Sequence, residues 1–211
     1  MDESKKPKLN FRSSWDDGNI LDVKIAQLLL QFDLPGMFYI PTCANLEDQS
    51  LKMLSANGFE IGGHTETHPQ DIKMLDPFEL KIEIELNKKY LEMVIGKKIT
   101  SFCYPRGRYD ERVIEAVKEA GFKEARTTIV LKTESVDPYK TYTSVHVAKR
   151  KEYGDTDWIE ISYRMVEQAS KTGGVFHIWG HGWEIEEDGN WHKLEMFFDW
   201  LKENYQIIPA K

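Results

Sequence analysis

An α/β chain folded as an irregular seven-stranded (β/α) barrel, its strands predominantly parallel, is what this sequence predicts. Short β-rich runs alternate with helical runs along the whole length, and each β-rich run ends in a polar or glycine-containing break. Alternation of this kind builds a parallel sheet covered by helices. Chemistry in such sheets gathers at the carboxyl ends of the strands. That is where the unusual polar residues of this chain fall.

Strands are expected at 9–15, 36–40, 59–62, 101–104, 122–127, 142–148 and 175–179. Between them, 20–32 carries apolar residues at helical spacing and stops before Pro35. Segment 111–120 has Asp110 as N-cap, Val113, Val117 and Ala120 on one face, and Gly121 as its stop. Segment 158–170 starts after Asp157 and ends at Gly173–Gly174. The last helix, 191–204, turns Leu194, Phe197, Phe198 and Leu201 toward the core. One segment carries two signals. Phe78, Leu80, Ile82, Ile84 and Leu86 alternate with polar residues at a strand's period. Asp76-Pro77-Phe78-Glu79, however, spells a capping box with proline at the first helical position, and the run to Ile95 is far longer than a usual strand. Helix is the expectation there.

A chain of 211 residues without repeat, linker or low-complexity tract reads as one domain over 9–211 behind a polar leader at 1–8. Hydrophobic residues at 41% and charged ones at 30% are those of an ordinary globular protein. A net charge of -7 makes duplex nucleic acid or an anionic membrane surface a poor partner. The short basic cluster Lys5, Lys6, Lys8 reads as a solvated terminus. No apolar stretch approaches the roughly 20 residues of a membrane span. The leader has no apolar core of a signal peptide. Cys43 and Cys103 show neither metal-ligand spacing nor a disulfide framework, so a reducing cytoplasm is the expected location. Nothing in the sequence sets the oligomeric state.

Four motifs carry chemistry. Ser14-Trp15-Asp16-Asp17-Gly18 ends the first strand with two adjacent carboxylates, which repel unless a cation or proton compensates. The bland alternative is a helix start, with Asp17 or Asn19 as cap. Gly62-Gly63-His64-Thr65-Glu66-Thr67-His68-Pro69 ends the third strand. Its two histidines reach one metal if the backbone between them makes a single turn, and Pro69 keeps His68 out of a regular helix. Two imidazoles and one carboxylate form an open three-ligand site; two unrelated loop histidines are the alternative. Phe102-Cys103-Tyr104-Pro105-Arg106-Gly107 ends the fourth strand. Phe176-His177-Ile178-Trp179-Gly180-His181-Gly182 ends the last, with His181 where a catalytic imidazole belongs and His177 deeper, as a core or supporting residue.

These four, in this order and each on a strand end, resemble the polysaccharide deacetylase family, which includes chitin, peptidoglycan N-acetylglucosamine and nodulation-factor deacetylases. The resemblance spans Phe11 to Trp183. It implies that Asp16 is the catalytic base and that Asp17, His64 and His68 hold a divalent metal, usually zinc, with other divalent ions accepted by related enzymes. It further implies that the backbone N–H of Arg106 faces the oxyanion and that His181 protonates the leaving amine. Tyr104, Pro105, Trp179 and Trp183 are the expected substrate contacts; the aromatic set Trp179, Trp183, Tyr109 and Trp191 is suited to stacking on a pyranose, with a place in the core as the alternative. The substrate would be a carbohydrate carrying an N-acetyl or O-acetyl group, most simply an N-acetylhexosamine. The expected setting is a cytoplasmic precursor in surface-polysaccharide biosynthesis.

Two positions depart from the family pattern. The arginine that orients the base two residues before the third-motif proline is Cys103 here, and the Asp-Trp pair that supports it is not evident between Gly121 and Tyr142. Arg126 and Arg106 are the candidate replacements; strand alternation leaves Arg126 inward or outward on a one-residue register choice. Trp179 also stands where the family has leucine. Two rival readings share the fold: a sugar-binding pseudoenzyme, and a hydrolase of a non-sugar amide.

Overall fold

The structure, a computed structural model, describes residues 6–210. Residues 1–5 of the expected leader, Lys5 among them, lie outside the described residues. The chain alternates as its periodicities require. It runs β1 (Lys8–Asp16), α1 (Asp22–Gln31), β2 (Met37–Ile40), α2 (Asp48–Ala56), β3 (Glu60–Gly63) and α3 (Pro77–Ile95). It continues through β4 (Ser101–Cys103), α4 (Glu111–Glu119), β5 (Glu124–Arg126), β6 (Val145–His146) and α5 (Trp158–Thr172). The last elements are β7 (Val175–Gly180), α6 (Gly182–Glu187), α7 (Trp191–Asn204) and β8 (Gln206–Pro209).

The ambiguous segment is helix, and its start shows why. Asp76 accepts from the N–H groups of Phe78 and Glu79, Glu79 reaches back to the Asp76 N–H, and Pro77 opens the first turn. The period-two pattern survives as two helix faces: Leu80 and Ile84 are buried, whereas Phe78 and Leu86 are exposed.

Seven strands follow the order β5-β4-β3-β2-β1-β7-β6, every pair parallel. The sheet curls into an irregular barrel. Its edges approach through one segment: Thr141 bridges to Arg126 on β5, and Val145–His146 pair with β7. An eighth strand, β8, lies parallel to the first half of β1, at Lys8–Phe11, below the stretch that β2 occupies. Neither β8 nor helices α2 and α6 were among the expected elements.

Alternation along β1 sorts the two sides. Leu9, Phe11 and Trp15 pack outward into the helix-covered core. Arg12, Ser14 and Asp16 point into the barrel, where Arg12 and Asp16 meet partners on β5 across it and Ser14 meets one on the neighbouring β7. Arg12 Nη1 donates to Glu124 Oε2 at 3.0 Å, Ser14 Oγ meets His177 Nε2 at 2.8 Å, and Asp16 meets Arg126. The barrel interior is a ladder of polar pairs, with Asp16 at its carboxyl-terminal rung. No helix among the described residues is long and apolar enough to cross a membrane.

Candidate active site

The chain leaves β1 through Asp17 at φ 77, its N–H bonded to the Tyr39 carbonyl at 3.1 Å. Gly18 follows at φ 62, where an added Cβ would stand 2.7 Å from Ala44 Cβ, so only glycine fits. Helix α1 begins later, with Asn19 Oδ1 accepting from the Leu21 N–H. The bland reading of Asp17 as a cap is therefore set aside: its carboxylate faces the barrel mouth.

Asp17 Oδ1 stands 3.5 Å from His64 Nε2 and 3.4 Å from His68 Nε2. Thr65 at φ 71 and His68 at φ 53 make the single turn that brings both rings to one point. His64 is fixed at both ends. Its backbone N–H donates to Asn87 Oδ1 at 2.9 Å, and its Nδ1–H to the Cys103 carbonyl at 2.8 Å, which turns Nε2 toward Asp17. Asn87 is itself buried in α3 and tied to the Ile40 carbonyl. Sequence reasoning missed it, since a lone asparagine in a charged helix gives no signal.

Whether this set fits a cation is answered by its unpaired atoms. Asp17 Oδ1 and His68 Nε2 are buried without a hydrogen-bond partner. With His64 they form a nitrogen-nitrogen-oxygen group whose ligand atoms lie within 4.8 Å of one another. Burial alone would raise Asp17, but His64 first, then His181 and His68, hold it well below the usual carboxylate range. Burial and then His64 pull His68 down to about 4, so its ring is neutral near neutral pH. Burial alone would lower His64, but Cys103 and the Asp17 carboxylate raise it well above the ordinary histidine value, so a divalent ion held there would displace a proton. Asp16, His64 and Cys103 also lie close enough to hold an ion. There, however, the Arg126 guanidinium already occupies both Asp16 and Cys103, and a second cation would be repelled.

Asp16 is buried behind Asp17. Its Oδ2 is paired with Arg126 Nη2, and its Oδ1 has no partner. Arg126 faces inward and is fully buried, with its guanidinium 4.4 Å from the Trp179 ring. Arg106 lies in a turn over Pro105–Gly107 at φ 55. The neighbouring N–H groups of Gly107 and Arg108 go to the Tyr104 and Pro105 carbonyls, whereas that of Arg106 takes no backbone carbonyl among the described residues. On the far side, His181 Nε2 is 3.7 Å from Asp17 Oδ2, and the Trp183 indole N–H donates to the same oxygen at 3.3 Å. His181 Nδ1 pairs with Glu184, whose Oε2 also meets His146 Nε2 at 2.9 Å. His177 sits one rung lower and is buried, as its depth in the strand predicted.

Three expected substrate contacts need correction. Tyr104 is fully buried, stacked on Tyr109 at 4.8 Å and bonded through its hydroxyl to the Tyr139 carbonyl. Pro105 is buried beneath the turn. Trp179 lies under the site, its ring against Arg126 and stacked on His146 at 4.0 Å. Tyr104 belongs to the helix-covered core and Trp179 to the barrel interior, and neither offers a ring to a sugar. Trp183 is half-buried at the mouth, and its indole nitrogen is engaged with Asp17.

A family profile described as polysaccharide deacetylase matches residues 4–125. The match takes in Asp16, Asp17, His64, His68 and the 105–107 turn, and stops short of Arg126 and His181. YxkH of Bacillus subtilis (strain 168), which carries a polysaccharide deacetylase name, is 27% identical over 84 residues, 40% of this chain and 30% of that protein. A Mycobacterium smegmatis structure described under the same family name superposes with a TM-score of 0.73 at 14% identity, over 98% of this chain and 88% of that one. The CE4 family pseudoenzyme BA3943 of Bacillus anthracis gives 0.64 at 15% identity, over 96% and 63%. Both solved structures speak for the fold alone. With more than half of its length matched by the profile, this chain belongs to the polysaccharide deacetylase family.

Proposed function

We propose that the protein is a divalent-metal-dependent deacetylase that hydrolyses the N-acetyl group of an N-acetylhexosamine. One observation carries the reading: two adjacent carboxylates have been given opposite partners. Asp17 faces two imidazole nitrogens and keeps an unpaired oxygen, whereas Asp16 faces a guanidinium. That division suits one carboxylate to a metal and the other to a proton.

Asp17, His64 and His68 would hold a divalent ion, zinc being the best match to two imidazoles and a carboxylate, which would supply Lewis acidity toward a water and the acetyl carbonyl. Asp16 takes the proton of the attacking water, with Oδ1 free to receive it and Oδ2 held by Arg126. The Arg106 N–H is offered to the oxyanion that develops on the attacked carbon. His181 gives a proton from Nε2 to the amine as the C–N bond breaks, leaving acetate and the free amino sugar.

Acetate release tests this on monomeric, lipid-linked and polymeric N-acetylhexosamine substrates, beside a non-sugar N-acetyl amine. Release from the sugars supports the proposal. Release from the non-sugar amine alone moves the substrate class, and binding without release from any of them makes the protein a pseudoenzyme.

A further inference from the structure

We propose that Glu184, anchored by His146, is the positioning residue that presents Nε2 of His181 to the leaving group. The inference rests on reading His181 as the acid, and adds two residues that the four motifs do not contain.

Glu184 lies in the first turn of α6, three residues after His181, and its carboxylate folds back onto Nδ1 of that ring. The same oxygen, Oε2, takes His146 Nε2 at 2.9 Å. His146 is a firm anchor. It is buried on β6, its ring stacks on Trp179, and its backbone N–H donates to the Tyr153 hydroxyl at 2.7 Å. Burial alone would raise Glu184, but hydrogen bonds from His146 and His181 hold it down to about 2, so it is a carboxylate.

A carboxylate only accepts, so each nitrogen facing Oε2 must carry a hydrogen. For His146 this agrees with the rest of the ring: its Nδ1 is buried with no partner, which suits a bare lone pair better than an unmet N–H. For His181 it fixes the hydrogen on Nδ1 and leaves Nε2 as the atom that exchanges a proton. Nε2 is also the atom on the metal-triad side, 3.7 Å from Asp17 Oδ2. An ion pair that merely tied α6 to the sheet would need neither the second imidazole nor this facing of the ring.

Leaving-group chemistry separates positioning from fold damage. An amine leaving from an N-acetyl sugar needs a proton, whereas the nitrophenolate leaving from nitrophenyl acetate does not. With metal-loaded protein, Glu184→Ala should lower kcat on the N-acetyl sugar by about 100-fold and change nitrophenyl acetate hydrolysis by less than about 3-fold. Metal content should stay unchanged, and Glu184→Asp should recover part of the loss. His146→Ala should show the same selectivity more weakly. Should Glu184→Ala fail to fold, Glu184→Gln keeps the volume and one acceptor, and an intermediate selectivity is expected from it. Equal losses on both substrates, or no loss on either, overturn the proposal. His181→Ala, run beside them, guards the underlying reading. If it lacks the leaving-group selectivity, the acid assignment itself fails; if it shows the selectivity and the Glu184 variants do not, only Glu184 falls.

Discussion

The Arg126 guanidinium lies on the Asp16 carboxylate, and the residue paired with Arg126 across the sheet is Cys103. Cys103 stands where the family resemblance leads one to expect a base-orienting arginine. Because the two positions are register partners on adjacent parallel strands, their side chains share the barrel interior. The short thiol leaves room for the longer chain to cross it, with Arg126 Nη2 2.8 Å from Cys103 Sγ. In the proposed mechanism Arg126 serves Asp16 from the strand next to Cys103.

Placing the arginine at position 103 instead should therefore work in part. Arg126→Ala should lower kcat by about 100-fold and destabilise the fold by about 3 kcal/mol, since it strips a buried carboxylate of its partner. The double variant Arg126→Ala with Cys103→Arg should regain a measurable share of both. Turnover and urea midpoints of the three proteins decide it; a double variant worse than Arg126→Ala contradicts the exchange.

His64→Ala and His68→Ala should lose metal and acetate release together, because two remaining ligands hold an ion poorly. Metal analysis after dialysis, paired with the acetate assay, measures both. Full occupancy and turnover in either variant would put the ion elsewhere.

Asp16→Asn separates the two carboxylates. Metal should remain while turnover falls by roughly 100- to 10,000-fold, the range for loss of a general base. Wild-type turnover in this variant would reject Asp16 as the base, and lost metal would make it a ligand.

How far the sequence carried this reading depends on sequence distance. Strand ends bearing Asp16-Asp17, His64 and His68 were legible because each motif is contiguous and each follows a β-rich run. Helix α3 was legible through its cap despite a strand-like period. The register that turns Arg126 inward was not, since alternation over a three-residue strand admits both faces. Asn87, His146 and Glu184 were missed because each meets its partner only after the chain folds. Tyr104 and Trp179 misled for the opposite reason: an aromatic ring beside a motif looks like a sugar platform, and burial is a property of packing. Helix α6 opens with glycine and is only six residues long, so it left little periodic signal.

The far end of the polar ladder offers a pH test. Burial would raise Glu124, but the Arg12 hydrogen bond outweighs it and lowers the group's pKa below its ordinary value. A lowered folded pKa contributes stability that is present above the unfolded pKa and is lost as pH falls through the folded one. Glu124→Gln should therefore cost about 1.5–3 kcal/mol at pH 7, and the gap to wild type should close below about pH 4. Melting temperatures of both proteins across that window check the sign, and a gap that widens toward acid contradicts it.

In the proposed reaction one divalent ion at Asp17, His64 and His68 drives acetyl hydrolysis. Titrating zinc into metal-stripped protein, while following acetate released from an N-acetylhexosamine oligomer, tests it most directly. The expected result is no acetate without the ion, a rise in proportion to zinc, and saturation at about one ion per chain. Acetate released at full rate by the stripped protein, or none at saturating zinc, would contradict it.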